Sequence, residues 1–119
     1  MAKSMLIVSR LAPWAGPGAR EALDIALAGG AFGLPVAMLF LDDGVFQLQA
    51  GLAPAALEQK NLASNLQALD MFGVEEVYAC QHSLQTRNLL PSTLAVAAQP
   101  LDGEAVAALF NRFDQVITL

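Results

Sequence analysis

Short apolar runs, each the length of one strand, alternate along this chain with segments whose leucines recur at helical spacing. Few folds accept that alternation. Ser4–Ser9 contains Met5, Leu6, Ile7 and Val8, and Pro35–Leu41 is a second run of the same kind. Neither run alternates polar with apolar residues, so both read as strands covered on two faces, the pattern of a parallel sheet between helices. Between them, Arg20–Ala28 places Leu23, Ala26 and Leu27 on one stripe. Pro17 suits the first turn of that helix, and Glu21 and Asp24 lie near its positive end. Gly29-Gly30 is expected to end it. Pro54 opens a second helix with Leu57, Leu62, Leu66 and Leu69, stopping before Gly73. Glu76–Cys80 reads as a third strand, Ser83–Arg87 as a short helix with Asn88 at the turn, and Leu94–Ala98 as a fourth strand. Asp102 is a good cap for a helix carrying Val106, Leu109 and Phe110, and Gln115–Leu119 is a fifth strand. The expectation is an α/β fold, a three-layer α/β/α sandwich on a five-stranded parallel sheet, with residues 1–119 forming a single domain.

Composition adds a constraint on how such a domain lives. Of the 119 residues, 55% are hydrophobic and 14% charged, against about 25% charged in an ordinary soluble domain. A small body has much surface for its volume, so part of this apolar material must lie outside, and contiguous apolar surface marks an interface. Net charge is −5. The cations Lys3, Arg10, Arg20, Lys60, Arg87 and Arg112 are scattered, so direct nucleic-acid binding is not expected. The single cysteine, Cys80, excludes an internal disulfide and a Cys-rich zinc site. The uncharged stretch from Ile25 to Leu41 is broken by Gly29, Gly30, Gly33 and Pro35, which argues against a membrane span. Arg10 interrupts the first apolar run, so no export signal is expected and the location reads as cytoplasmic.

Met38-Leu39-Phe40-Leu41-Asp42-Asp43-Gly44-Val45-Phe46-Gln47-Leu48 is the most informative stretch for function. A buried strand ends in two carboxylates and a glycine, and an apolar cluster follows at once. Ligands and partners dock at the carboxyl ends of such strands, so Val45, Phe46 and Leu48 are expected to form a contact patch. Asp42 and Asp43 are adjacent and point apart in extended chain, which argues against a shared metal ion; no metal and no cofactor are expected. Gly16-Pro17-Gly18 fits neither a dinucleotide fingerprint nor a Walker loop. Glu21 would repel an anion there, so a tight turn is the better reading than a phosphate cradle. Cys80 ends a strand just before a helical turn, a place where a thiolate is stabilised and could carry persulfide sulfur, with His82 two residues on. The alternative is a small, half-buried apolar residue. No nucleophile elbow is present, and a lone histidine two residues from Cys80 makes a poor base for it.

Gly18-Ala19-Arg20-Glu21-Ala22-Leu23-Asp24 and Asp42-Asp43-Gly44-Val45-Phe46-Gln47-Leu48 resemble motifs of the DsrE/DsrF family, in its DsrF-like branch. Phe72-Gly73-Val74-Glu75-Glu76, then Cys80, Ser83, Leu84 and Arg87, and finally Phe113-Asp114-Gln115-Val116-Ile117, are similar to its later segments in order and spacing. The resemblance covers essentially the whole chain, and the DGVFQL stretch is its most specific part. It implies a sheet in the order 4-3-2-1-5. It also implies a subunit of a sulfur relay that serves 2-thiolation of uridine at the tRNA wobble position. The implied partners are TusB-like and TusD-like chains in a heterohexamer, a dimer of heterotrimers, with a downstream sulfur acceptor protein. In that family the working cysteine is assigned to the TusD-type subunit, and the DsrF-like subunit is chiefly architectural. Cys80 stands at a similar position, although Gln81-His82-Ser83 departs from the small apolar residues usual there. Two further readings stay open: Cys80 as a persulfide carrier in its own right, and a flavodoxin-like small-molecule binder using Gly16–Gly18.

Overall fold

The computed structural model describes residues 3–49, 65–90 and 94–119. Among these, the strands β1 (Met5–Ser9), β2 (Val36–Phe40), β3 (Glu76–Cys80), β4 (Gln99–Leu101) and β5 (Gln115–Thr118) form one sheet. Its order is β4-β3-β2-β1-β5, and every pairing is parallel. The five-stranded parallel α/β sheet expected from the sequence is therefore present. Parallel neighbours need crossover connections. Helix α1 (Gly18–Ala31) supplies one between β1 and β2, α2 (Gln81–Thr86) follows β3, and α3 (Gly103–Arg112) carries the chain from β4 at one edge to β5 at the other.

Burial explains the sequence pattern. β1 and β2 sit centrally, and all five residues of β2 are buried. Ile7, Met38 and Phe40 face one core with Ala19, Ala22, Leu23 and Ala26 of α1. Leu6, Val8, Ala37 and Leu39 face a second core, packed with Leu109 and flanked by Val106 and Phe110 of α3. Successive residues point to opposite faces, so a strand between two cores has no polar position to give. Asp102 caps α3 as expected, its Oδ1 accepting the Ala105 N–H at 2.9 Å.

Two expectations need correction. α1 does not end at Gly29-Gly30; it runs to Ala31, and Gly33 at φ +81° is the left-handed residue that stops it. The Gly33 N–H donates to the Gly30 carbonyl at 2.9 Å and the Leu34 N–H to the Gly29 carbonyl at 3.0 Å, which is a Schellman cap. Gly30 is there for contact: a Cβ on it would lie 2.3 Å from the Phe72 carbonyl oxygen. The fourth strand is Gln99–Leu101 rather than Leu94–Ala98. Val96 does reach the core, but Leu94 makes only an isolated antiparallel bridge to Gln49. Pro100 lies in β4, which is tolerable because an edge strand needs only one set of ladder bonds. The helix expected from Pro54 falls mostly outside the described residues. Within the described residues, 65–67 are helical, followed by a 3₁₀ turn Leu69–Phe72 and Gly73 at φ +90°. No helix among the described residues is long and apolar enough to cross a membrane.

Candidate functional site

All strands run the same way, so Ser9, Phe40 and Cys80 end at one edge of the sheet, where an α/β fold presents its loops. The loop after β2 winds as a 3₁₀ segment, Asp42–Leu48, directly beneath the end of β1. Gly44 makes that approach possible. A Cβ at this position would lie 2.0 Å from the Ser9 carbonyl oxygen, so the backbones could not meet with any side chain between them. Asp42 adopts φ +51°, a left-handed conformation that aspartate tolerates better than most residues. Gln47 is buried, and its Nε2 donates to Ser9 Oγ at 2.7 Å and to the Leu11 carbonyl at 3.0 Å.

The expected contact patch of Val45, Phe46 and Leu48 is only partly at the surface. Val45 and Leu48 are fully buried in the α1-side core. The 3₁₀ winding turns these two under the sheet and leaves Phe46 half-buried on the rim. The Phe46 ring is covered from an unexpected side. Trp14, in the loop after β1, packs on it with centroids 5.2 Å apart and planes tilted at 45°. Trp14 itself is 58% exposed, and Leu11 in the same loop is also exposed. Among the described residues, the apolar surface at this edge is thus Trp14 and Phe46 with Leu11, rather than the three residues of one loop. A lone tryptophan inside a Pro- and Gly-rich turn was the available signal, since nothing in that turn could bury it. A second exposed apolar group, Phe32, Met71 and Phe72, lies where α1 and the 3₁₀ turn end, at the other edge of the sheet.

Asp42 and Asp43 go separate ways. Asp42 Oδ2 accepts from Arg10 Nε at 2.9 Å and Nη2 at 2.8 Å. Asp43 Oδ1 accepts from Arg87 Nε at 3.0 Å. The Asp42 N–H donates to Ser83 Oγ at 2.9 Å. Arg87 Nη1 also reaches the Ser83 carbonyl at 3.2 Å and Thr86 Oγ1 at 3.0 Å. Two carboxylates from one turn therefore bind cations from β1's end and α2's end.

Cys80 is a half-buried free thiol, the last residue of β3 and the residue that precedes α2. It pairs with Leu101 of β4. His82 lies on α2 and is exposed. The Gly16–Gly18 turn is tight: Gly16 has φ +121°, and a Cβ on Gly18 would meet Leu11 Cδ1 at 2.3 Å. The space beside α1's first turn is thus held by a side chain of the same loop.

Farther down β3, Tyr78 donates its hydroxyl to Glu76 Oε1 at 2.6 Å, and Arg112 from the end of α3 pairs with the same oxygen. Arg112 also lies 4.7 Å from the Phe113 ring centroid. The Tyr78 hydrogen bond, with Arg112's help, holds the Glu76 carboxyl below its usual value despite partial burial. Burial and the adjacent carboxylate push the Tyr78 phenol up. This cluster fastens α3 to β3. Beside it runs an open groove of about 720 Å³, lined by Glu75–Tyr78 and Leu94–Gln99.

Comparison with known proteins places this architecture. The DsrE/DsrF-like family model matches residues 3–119. A protein TusC homolog from Pseudomonas aeruginosa is 60% identical over 119 residues, covering all of both chains. Protein TusC from Escherichia coli is 32% identical over 116 residues, covering 97% of this chain and 98% of its own. Among solved structures, the ychN protein from E. coli superposes with a TM-score of 0.77 at 21% identity, covering the whole of both chains.

Proposed function

This chain belongs to the DsrE/DsrF-like family, and on that premise we propose that it is a subunit of a sulfur-relay complex required for 2-thiolation of uridine at tRNA wobble positions. Residues 1–119 act in it as a single DsrE/DsrF-like domain, in the cytoplasm, and chiefly as a partner-binding element. Its neighbours are TusB-like and TusD-like chains in a heterohexamer, with a separate protein accepting the sulfur downstream. The observation that carries this reading is the end-to-end correspondence with TusC homologues. The exposed Trp14 packed on Phe46 supports it physically, because an aromatic pair at the carboxyl edge of the sheet is a surface suited to being covered. The scattered cations and the net charge of −5 fit a subunit that does not itself hold the tRNA.

The test is co-expression with the TusB-like and TusD-like chains of the same organism, together with 2-thiouridine measured in tRNA from a deletion strain. The complex is expected to co-purify and the modification to be lost on deletion. A chain that stays monomeric beside both candidates, in a deletion strain with normal 2-thiouridine, would refute the reading.

A second reading, Cys80 as a persulfide carrier, draws on the half-buried thiol at the end of β3. The Cys80 thiolate would attack the outer sulfur of a donor persulfide. The donor S–S bond breaks, a new S–S bond forms on Cys80, and the donor leaves as thiolate, so no oxidant is needed. Intact mass after exposure to a persulfide donor separates the two readings. A gain of one sulfur by wild type and none by Cys80→Ser supports the carrier. Normal tRNA thiolation in the Cys80→Ser strain removes it.

A further inference from the structure

The adjacent carboxylates Asp42 and Asp43 have a use that neither metal binding nor acid–base chemistry explains. We propose that they form a positioning clamp, with Arg10, Ser83 and Arg87, that holds Phe46 beneath Trp14 and so keeps the aromatic surface in its binding geometry. The proposal rests on the reading of that surface as the contact site, and it assigns the residues that set its shape.

Phe46 is carried by a seven-residue 3₁₀ segment, and 3₁₀ hydrogen bonding is too poor to keep such a length in shape unaided. Its first residue, Asp42, sits at φ +51°, a left-handed conformation that aspartate tolerates but that still costs energy, so contacts around it help to hold it. Those contacts are present on three sides. Arg10 grips the Asp42 carboxylate with two nitrogens, Ser83 Oγ takes its N–H, and Arg87 holds the neighbouring Asp43. Arg87 is the best placed of these groups. Its side chain is 24% exposed, and it donates to Asp43 Oδ1, the Ser83 carbonyl and Thr86 Oγ1 at once. Exposed ion pairs add little to stability. Two of them on consecutive residues, directed to different elements, still remove the rotational freedom of the turn between them. The other end of the segment is fixed by buried Gln47 and Leu48, and buried Val45 stands next to Phe46 on the near side. Phe46 lies between the two anchors, and a surface ordered before contact loses less entropy on binding.

Trp14 is the chain's single tryptophan, so its fluorescence reports on the platform in the isolated protein. Asp43→Asn and Arg87→Met should each lower Trp14 anisotropy and raise its acrylamide quenching constant. The ceiling is about 1.7-fold, the ratio of full exposure to the present 58%. The charge swap Asp43→Arg with Arg87→Asp should restore both signals. Thermal melting by far-UV circular dichroism, expected to shift by only a few degrees, separates this local release from unfolding. In the co-expressed complex the single variants should weaken capture of the TusB-like and TusD-like chains roughly tenfold, and the swap should recover it. Unchanged anisotropy and quenching in both single variants would overturn the clamp. A different result, altered fluorescence in the clamp variants but undiminished capture by Trp14→Ala, would support the clamp and overturn the contact reading of the surface.

Discussion

Gly44→Ala is the substitution whose consequence the structure specifies most closely. The new methyl carbon would lie 2.0 Å from the Ser9 carbonyl oxygen and 2.8 Å from its carbon, where ordinary contact begins at 3.4 Å. A displacement of more than about 1 Å is therefore required, and well-packed interiors resist movements of that size. Ser9 cannot supply it. It is buried in β1, and its carbonyl already accepts the Leu41 N–H at 3.1 Å. The movement falls on Asp42–Leu48, which must lift away from the sheet and take Val45, Gln47 and Leu48 with it. Burying a Val or Leu side chain fully is worth about 1.5–3 kcal/mol, so exposing roughly a third of two such residues costs about 1–2 kcal/mol. Stretching the Gln47 bonds to Ser9 and Leu11 adds about 1 kcal/mol. The lower chain entropy of unfolded alanine returns about 0.5–1 kcal/mol. The net expectation is a loss of about 2 kcal/mol. With a urea slope of about 1–3 kcal/mol per molar, the unfolding midpoint should fall by roughly 1 M. Gly103→Ala is the matched control: nothing lies within 4 Å of its would-be Cβ, and it should match wild type or slightly exceed it. A Gly44→Ala protein with the midpoint of Gly103→Ala would refute the close approach of the two backbones.

Two further outcomes follow from local geometry. Gly33→Ala has open space around it but φ +81°, so it should lose about 1–2 kcal/mol through backbone strain alone; an unchanged melting temperature would show that α1 ends some other way. Glu76 makes the acid limb of stability informative, because its carboxyl is held below its ordinary value in the folded chain. A group lowered on folding stabilises above its unfolded pKa and loses that contribution as pH falls through its folded one. The stability gap between wild type and Glu76→Gln should therefore be steady at neutral pH, narrow below pH 4.5, and close in more acid solution. The side chains are about half exposed, so the gap is small. A gap of equal size at neutral and acid pH would contradict it.

The two apolar groups at opposite edges of the sheet differ in how they are built. Trp14 and Phe46 cover each other, and Phe46 is carried by a segment tied at both ends. Phe32 and Met71 are more than four-fifths exposed and sit on the last turns of their elements, beside the Gly30–Gly73 backbone contact. The first group is thus held by contacts on both sides of Phe46, as a preformed contact surface requires.

Much of the architecture was legible along the chain because it depends on neighbours in sequence. The strands β1, β2, β3 and β5 follow from apolar runs of strand length, and the start of α3 follows from one aspartate able to accept a backbone N–H. What the sequence pattern does not show depends on contacts between distant residues. Leu94–Ala98 resembles a strand by composition, yet the ladder forms at Gln99–Leu101, because an edge strand is selected by its neighbour's free hydrogen bonds and not by apolar faces. Gly29-Gly30 looks like a stop, yet the helix passes through because the backbone at Phe72 and Gly73 packs against it. The amino-acid order alone determined which side chains are apolar, how the sheet alternates with helices, and that this surface would carry an aromatic. Only the tertiary structure decided that Val45 and Leu48 go inside while Phe46 stays at the rim under Trp14. That choice depends on how tightly the loop winds beneath β1, a distance set by two backbones meeting at Gly44 and Ser9 and written in neither segment by itself.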